Sequence, residues 1–248
     1  MIKPSFLEPD DQPTIIGKVF DVPLVVKGWT GLPLLELASF GIFSIISRHD
    51  HPQWSHQKHL SVGAFSTVIL FGSEWCHNLA HVAFARWIGK PVDAIRVFFG
   101  TPLLIYYDMD DQHVSPVQHM LRALGGPIFN ALMIPLSWFA RRFTSNGSLA
   151  SYCADFSLKV NAFLSTASLL PIPGLDGGSH LKWLLVKGGR DHVAADEVVK
   201  RVNQFTGFGM VAASGLAVHK RHTWFATGLA LFGIISLAVG FGLLKEHK

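Results

Sequence analysis

The apolar residues of this chain come in long runs separated by short charged stretches. Six runs stand out. They cover about Leu32 to Ser47, Val62 to Ile88, Gly125 to Ala140, a stretch from Phe156 broken at Pro171 and Pro173, Gly207 to Val218, and Trp224 to Leu244. The last is the clearest span, because about 20 apolar residues cross a hydrocarbon core. Gly209, Ala213 and Ala217 recur every fourth residue on the fifth run. Small residues at that spacing let helices approach closely, which predicts that the fifth and sixth runs pack as a hairpin. Between the second and third runs, Ala94 to Asp108 reads AIRVFFGTPLLIYYD. Its β-branched and aromatic residues around Gly100 and Pro102 predict two short strands and a turn. A sheet edge at membrane depth is tolerated only where protein covers it or it lines a cavity. Such an edge suits pairing with an extended guest peptide; an interfacial loop that merely resembles strands is the plainer alternative. The pattern predicts an α-helical polytopic membrane protein with about six transmembrane segments and a small β-hairpin or sheet after the second of them.

Composition agrees. Hydrophobic residues make up 49% of the 248 and charged residues 15%, against about 25% charged in average soluble domains. The length fits one core over residues 1–248, with an N-terminal polar and strand-like segment over 1–31 and no room for a large soluble appendage. Two cysteines, Cys76 and Cys153, rule out a disulfide framework. The net charge is +4, yet the basic residues sit singly or in pairs between apolar runs. That excludes a phosphate-tracking surface, so no nucleic-acid partner is expected; membrane lipid is. Met1 to Pro13 is polar and acidic, unlike a signal peptide, so the first inserted helix is expected to act as the targeting signal. With the N-terminus inside, the 21 Lys and Arg residues divide 14 inside to 7 outside. The excess of positive charge on inner loops predicts both termini in the cytoplasm, in the cell (inner) membrane.

The second run ends in SEWCHNLAH. On a helix, Glu74, His77, Asn78 and His81 stand at i, i+3, i+4 and i+7 and share one face. Ionisable residues inside a membrane are expensive, so such a stripe needs a cause. Histidines at i and i+4 can reach one zinc ion; an interfacial face bonded to neighbouring helices is the alternative. A second feature is LLPIPGLDGG, Leu169 to Gly178. Its prolines break the helix, and Gly177 and Gly178 permit close approach. Asp176 is thereby presented on irregular backbone within an apolar region, where a carboxylate needs a cation or several donors. It serves either as a helix cap or as a third ligand that completes an N,N,O set and leaves a position open for water. The loop His49 to His59, with four histidines, reads as a solvated interfacial connection, with metal capture or pH sensing as the alternative, and Arg141–Arg142 and Lys220–Arg221 as snorkelling helix ends.

At these residues the chain resembles the site-2 protease family of intramembrane zinc metalloproteases. That family carries HExxH on one membrane helix and an NxxPxPxxDGG-like stretch on a later one; here they read HNLAH at His77 to His81 and SLLPIPGLDGG at Ser168 to Gly178. A small-Gly-Pro-x-x-Asn element is matched by GGPIFN, Gly125 to Asn130, and GKVFDVPLVVKGW resembles the opening strand. The resemblance implies one Zn2+ ion held by His77, His81 and Asp176, a minimal membrane core, and single-span membrane proteins as substrates or partners. Asn78 stands where the family has the general-base Glu, and an amide cannot take a proton from water. Ser168 stands where the family has an Asn that holds substrate or oxyanion, and its hydroxyl is shorter. Ligands kept while processing groups are lost imply binding without turnover. Glu74, a turn before Asn78, is the one substitute base; orienting His77 as an acceptor, or capping a polar cavity, is the alternative. The competing reading is an active intramembrane metalloendopeptidase working through Glu74 or a water relay. A di-iron oxygenase would need HxxHH boxes that are missing.

Overall fold

A computed structural model describes residues 14–107, 111, 113–219 and 223–243. The expected polar segment before residue 14, the end of the hairpin at Asp108 and the pair Lys220–Arg221 lie outside them.

The sheet comes first. Strands β1 (Thr14–Val19) and β2 (Val22–Val26) form an antiparallel hairpin. Strands β3 (Ala94–Phe98) and β4 (Thr101–Ile105) form a second. β2 runs parallel to β3, giving one mixed sheet in the order β1-β2-β3-β4. The β3–β4 turn is two residues, Phe99 and Gly100, both at positive φ. That is the geometry whose twist matches a right-twisted hairpin. Pro102, expected in the turn, instead pairs with Val97 inside β4, an edge strand where a missing N–H is tolerated.

Seven α-helices follow among the described residues: α1 (Leu34–Asp50), α2 (His56–Trp87), α3 (Pro116–Arg142), α4 (Leu149–Ser168), α5 (Asp176–Lys187), α6 (His192–His219) and α7 (Thr223–Gly240). α2 opens on Ser55, whose hydroxyl accepts from the Lys58 N–H, an N-cap that satisfies an orphan donor. The chain forms two compact units. One holds the sheet, α1, α2, α3 from Leu124 onward and α4 to Ala167; the other holds the start of α3 with α5, α6 and α7.

In the first unit the sheet packs on α2. Val22, Val82, Ala85, Val92 and Ile95 make a buried cluster, flanked by Trp75, Leu79 and Leu104. These α2 residues form the face beside the one carrying His77 and His81. Trp75 Nε1 donates to the Gly100 carbonyl at 2.8 Å, which ties the hairpin tip to α2 two residues before His77. In the second unit α6 and α7 pack as the expected hairpin, through different glycines. A Cβ on Gly207 would meet Leu237 at 2.8 Å and one on Gly233 would meet Val211 at 2.8 Å, whereas Gly209 faces nothing within 4 Å.

By length and composition one described helix, Pro116–Arg142, is apolar enough to cross a membrane; Ala226–Gly240 is a shorter apolar one. About six spans were expected. Polar side chains account for part of the difference, since α2 carries His56, Lys58, His59, Glu74, His77, His81 and Arg86; α1, with 17 residues, is simply shorter. The histidine-rich loop also departs from its expectation. His59 is buried and bonded to Ser47 Oγ at 2.9 Å, and Trp54 stacks on His51 under the Lys58 ammonium.

Candidate metal centre

His77 and His81 are one helical turn apart on α2, and both are buried. Their Nε2 atoms face each other at 3.2 Å. Two nitrogens bound to one tetrahedral zinc, each at about 2.0–2.1 Å, lie about 3.3 Å apart. The pair therefore fits a zinc ion with little movement.

The second ring nitrogens are occupied by α3. His77 Nδ1 is bonded to Asn130 Oδ1, and Gly126 N–H donates to His81 Nδ1 at 3.3 Å. The local sequence explains the closeness. A Cβ on Gly125 would meet the Ala80 carbonyl oxygen at 2.7 Å, and one on Gly126 would overlap the His77 ring. The Gly-Gly of GGPIFN is what lets α3 lie against the histidine turn. The acceptor on His77 Nδ1 is thus Asn130, fully buried; Glu74, for which an orienting role was expected, stands one turn away on α2.

Asp176 belongs to the other unit, in the first turn of α5. The helix caps on Leu175 with no side-chain cap bond, so Asp176 is not the N-cap. Gly177 and Gly178 again serve close approach: a Cβ on either would collide with the Leu169 or Ile172 carbonyl. The prolines end α4 at Ser168 and the chain re-enters helix at Asp176, as the broken-helix pattern predicted.

Comparison with known proteins adds two findings. No family model matches the chain. Over 93 residues the chain is 31% identical to a protein of Methanocaldococcus jannaschii that carries the name of a zinc metalloprotease. That stretch covers 36% of this chain and 48% of the relative, about half its length. Among solved structures, the site-2 protease of Methanocaldococcus jannaschii superimposes with a TM-score of 0.55 at 14% identity, covering 96% of this chain and 97% of that one. The chain thus shares the fold of that site-2 protease.

Within this site-2 protease fold, Asn78 follows the first histidine. Its Nδ2 donates to the Glu74 carbonyl of its own helix at 3.0 Å, so the amide is turned back along α2. Glu74 is half-buried one turn earlier. Ser168 is the last residue of α4, and its Oγ is buried without a hydrogen-bond partner. Asn161, which no sequence motif marked, turns out to sit behind Asn130 and donate and accept within the same network.

Proposed function

We propose that the chain is a membrane-embedded, site-2 protease-like protein that binds one zinc ion and holds single-span membrane peptides with little or no hydrolysis. The observation that carries this reading is the His77–His81 pair, spaced for one zinc ion and followed by an amide. His77, His81 and Asp176 offer two imidazole nitrogens and one carboxylate oxygen, a donor set that suits zinc and leaves a fourth position. The name of the M. jannaschii relative supports the choice of metal. A bound zinc ion would polarise a water and a peptide carbonyl. Asn78 has no carboxylate with which to accept the proton of that water. Ser168 offers a single short hydroxyl where the resembled family places an amide. In this proposal the chain lies in the cell (inner) membrane with both termini in the cytoplasm, supported by the 14-to-7 distribution of its basic residues.

The second reading is an active protease that uses Glu74. It is favoured by Glu74's place on the His77 face, about 6 Å along the axis from Asn78. That is far for direct proton transfer and requires a water relay.

A cleavage assay on a single-span substrate decides between them. The wild type is expected to retain the peptide uncut. Restoring the base typically returns a factor of about 10² to 10⁴. Asn78→Glu, alone or with Ser168→Asn, is therefore expected to raise cleavage by that order. Wild-type cleavage that Glu74→Gln abolishes while zinc stays bound would overturn the pseudoenzyme reading.

A further inference from the structure

The hydrogen bonds behind His77 continue from α3 into α4, and their direction is fixed at the far end. Asn161 Nδ2 donates to the Ser157 carbonyl at 2.9 Å, and also lies 3.3 Å from Ser157 Oγ and from Ser73 Oγ. A main-chain carbonyl only accepts, so this end of the Asn161 amide must be its NH2. Asn161 Oδ1 then accepts from Asn130 Nδ2 at 2.8 Å. With its NH2 committed, Asn130 can present only its oxygen to His77 Nδ1. An amide oxygen accepts, so His77 must carry its proton on Nδ1 and keep a lone pair on Nε2. The other end agrees. Gly126 N–H donates to His81 Nδ1, which leaves the His81 proton on Nε2, pointing at His77 Nε2. A cation between the rings would take the place of that proton. Asn130 and Asn161 are both fully buried, where an amide has few alternative partners.

We infer that Asn161 is a positioning residue for this centre: it orients the Asn130 amide, and through it holds His77 in the tautomer whose Nε2 can bind a metal. The inference rests on reading His77 as a ligand, but its first test needs no metal. The metal-free protein is labelled with 15N-histidine and examined by NMR at about pH 8, above the ordinary imidazole value of about 6.5. His77 is assigned by difference from His77→Gln. In the wild type His77 is expected as the Nδ1–H tautomer; in Asn161→Leu, a mixture of tautomers. Asn161→Asp keeps the acceptor and is expected to retain the wild-type spectrum. Asn161→Thr, whose hydroxyl donates as readily as it accepts, replaces the leucine variant if that does not fold, with the same mixing expected. An Nε2–H tautomer in the wild type, or an unchanged Nδ1–H tautomer in Asn161→Leu, would overturn the inference.

Zinc affinity by chelator competition supplies the second readout. Loss of a group that orients a ligand typically weakens metal binding about 10- to 100-fold, and that is expected of Asn161→Leu. In an Asn130→Asp background the same substitution is expected to change affinity by less than about twofold, because a carboxylate accepts with either oxygen and needs no orienting. Equal losses in both backgrounds would mark a merely structural role and overturn the inference. If the wild type binds no zinc while the tautomer results hold, the proposed function falls and the action of Asn161 on His77 stands.

Discussion

Gly126 shows how little tolerance a residue beside the histidines has. A Cβ there would overlap the His77 ring, and the ring is bonded through Nδ1 to Asn130 on the same helix. Neither α3 nor the imidazole can retreat without breaking that bond. Gly126→Ala is therefore expected to weaken zinc binding at least about 10-fold, as displacing a ligand's support does elsewhere. Gly209→Ala, where nothing lies within 4 Å, is expected to leave zinc binding unchanged and to stabilise helix α6 by about 0.5–1 kcal/mol. Titration with zinc and thermal melts on the two variants check both statements. The sequence named His77, His81 and Asn130 as site residues because each sits in a motif. It could not say which group holds His77. Glu74 was the natural choice, being charged and on the same helix face, but it is the Asn130 amide, on another helix, that bonds Nδ1 of the ring. Asn161 lies in FSLKVNAF, where nothing in spacing or composition separates a network amide from an ordinary buried one.

At the scale of elements, the hairpin turn is the most constrained piece of backbone. Gly100 has φ +95°, and a Cβ on it would run into the Glu36 carboxylate. Phe99 also sits at positive φ, with its N–H given to the Thr30 carbonyl at 2.5 Å and its ring near Trp29. Gly100→Ala meets both backbone strain and a collision, so a loss of more than about 1 kcal/mol is expected, measured as a lower melting temperature. A melt within error of wild type would contradict the described turn. The two strands were legible from β-branched and aromatic composition, and the turn nearly so. Its exact residues were not, because Phe is a poor candidate for a left-handed turn position, held there by its bond to the Thr30 carbonyl and its packing against Trp29. Helix breakage at Pro171 and Pro173 was legible because two prolines two residues apart, followed by Gly174, remove two donors in one turn, whereas Pro127 and Pro135 stand singly within α3. The α6–α7 hairpin was foreseen, but on the wrong glycine. A repeat of small residues says that a helix has a close-packing face, while the partner decides which face is used.

For the whole molecule, apolar side chains on several helices face outward, among them Ile45 on α1, Val68 on α2, Leu132 on α3 and Ile234 on α7. Exposed apolar surface marks a membrane or a protein partner where it is continuous. The proposed location predicts that the chain stays with membranes through high-salt and alkaline washes and leaves them only with detergent; release by salt alone would contradict it. The hydrophobic pattern predicted more spans than length and composition now support, because it counted apolar runs and gave little weight to the polar stripe inside α2. That stripe is also where the proposed function resides. The most direct test is the zinc content of detergent-purified protein, compared between the wild type and His77→Ala. The account predicts about one zinc per chain in the wild type and near none in the variant, with the fold retained. Wild-type protein free of zinc after metal supplementation, or zinc kept at the same level by His77→Ala, would contradict it.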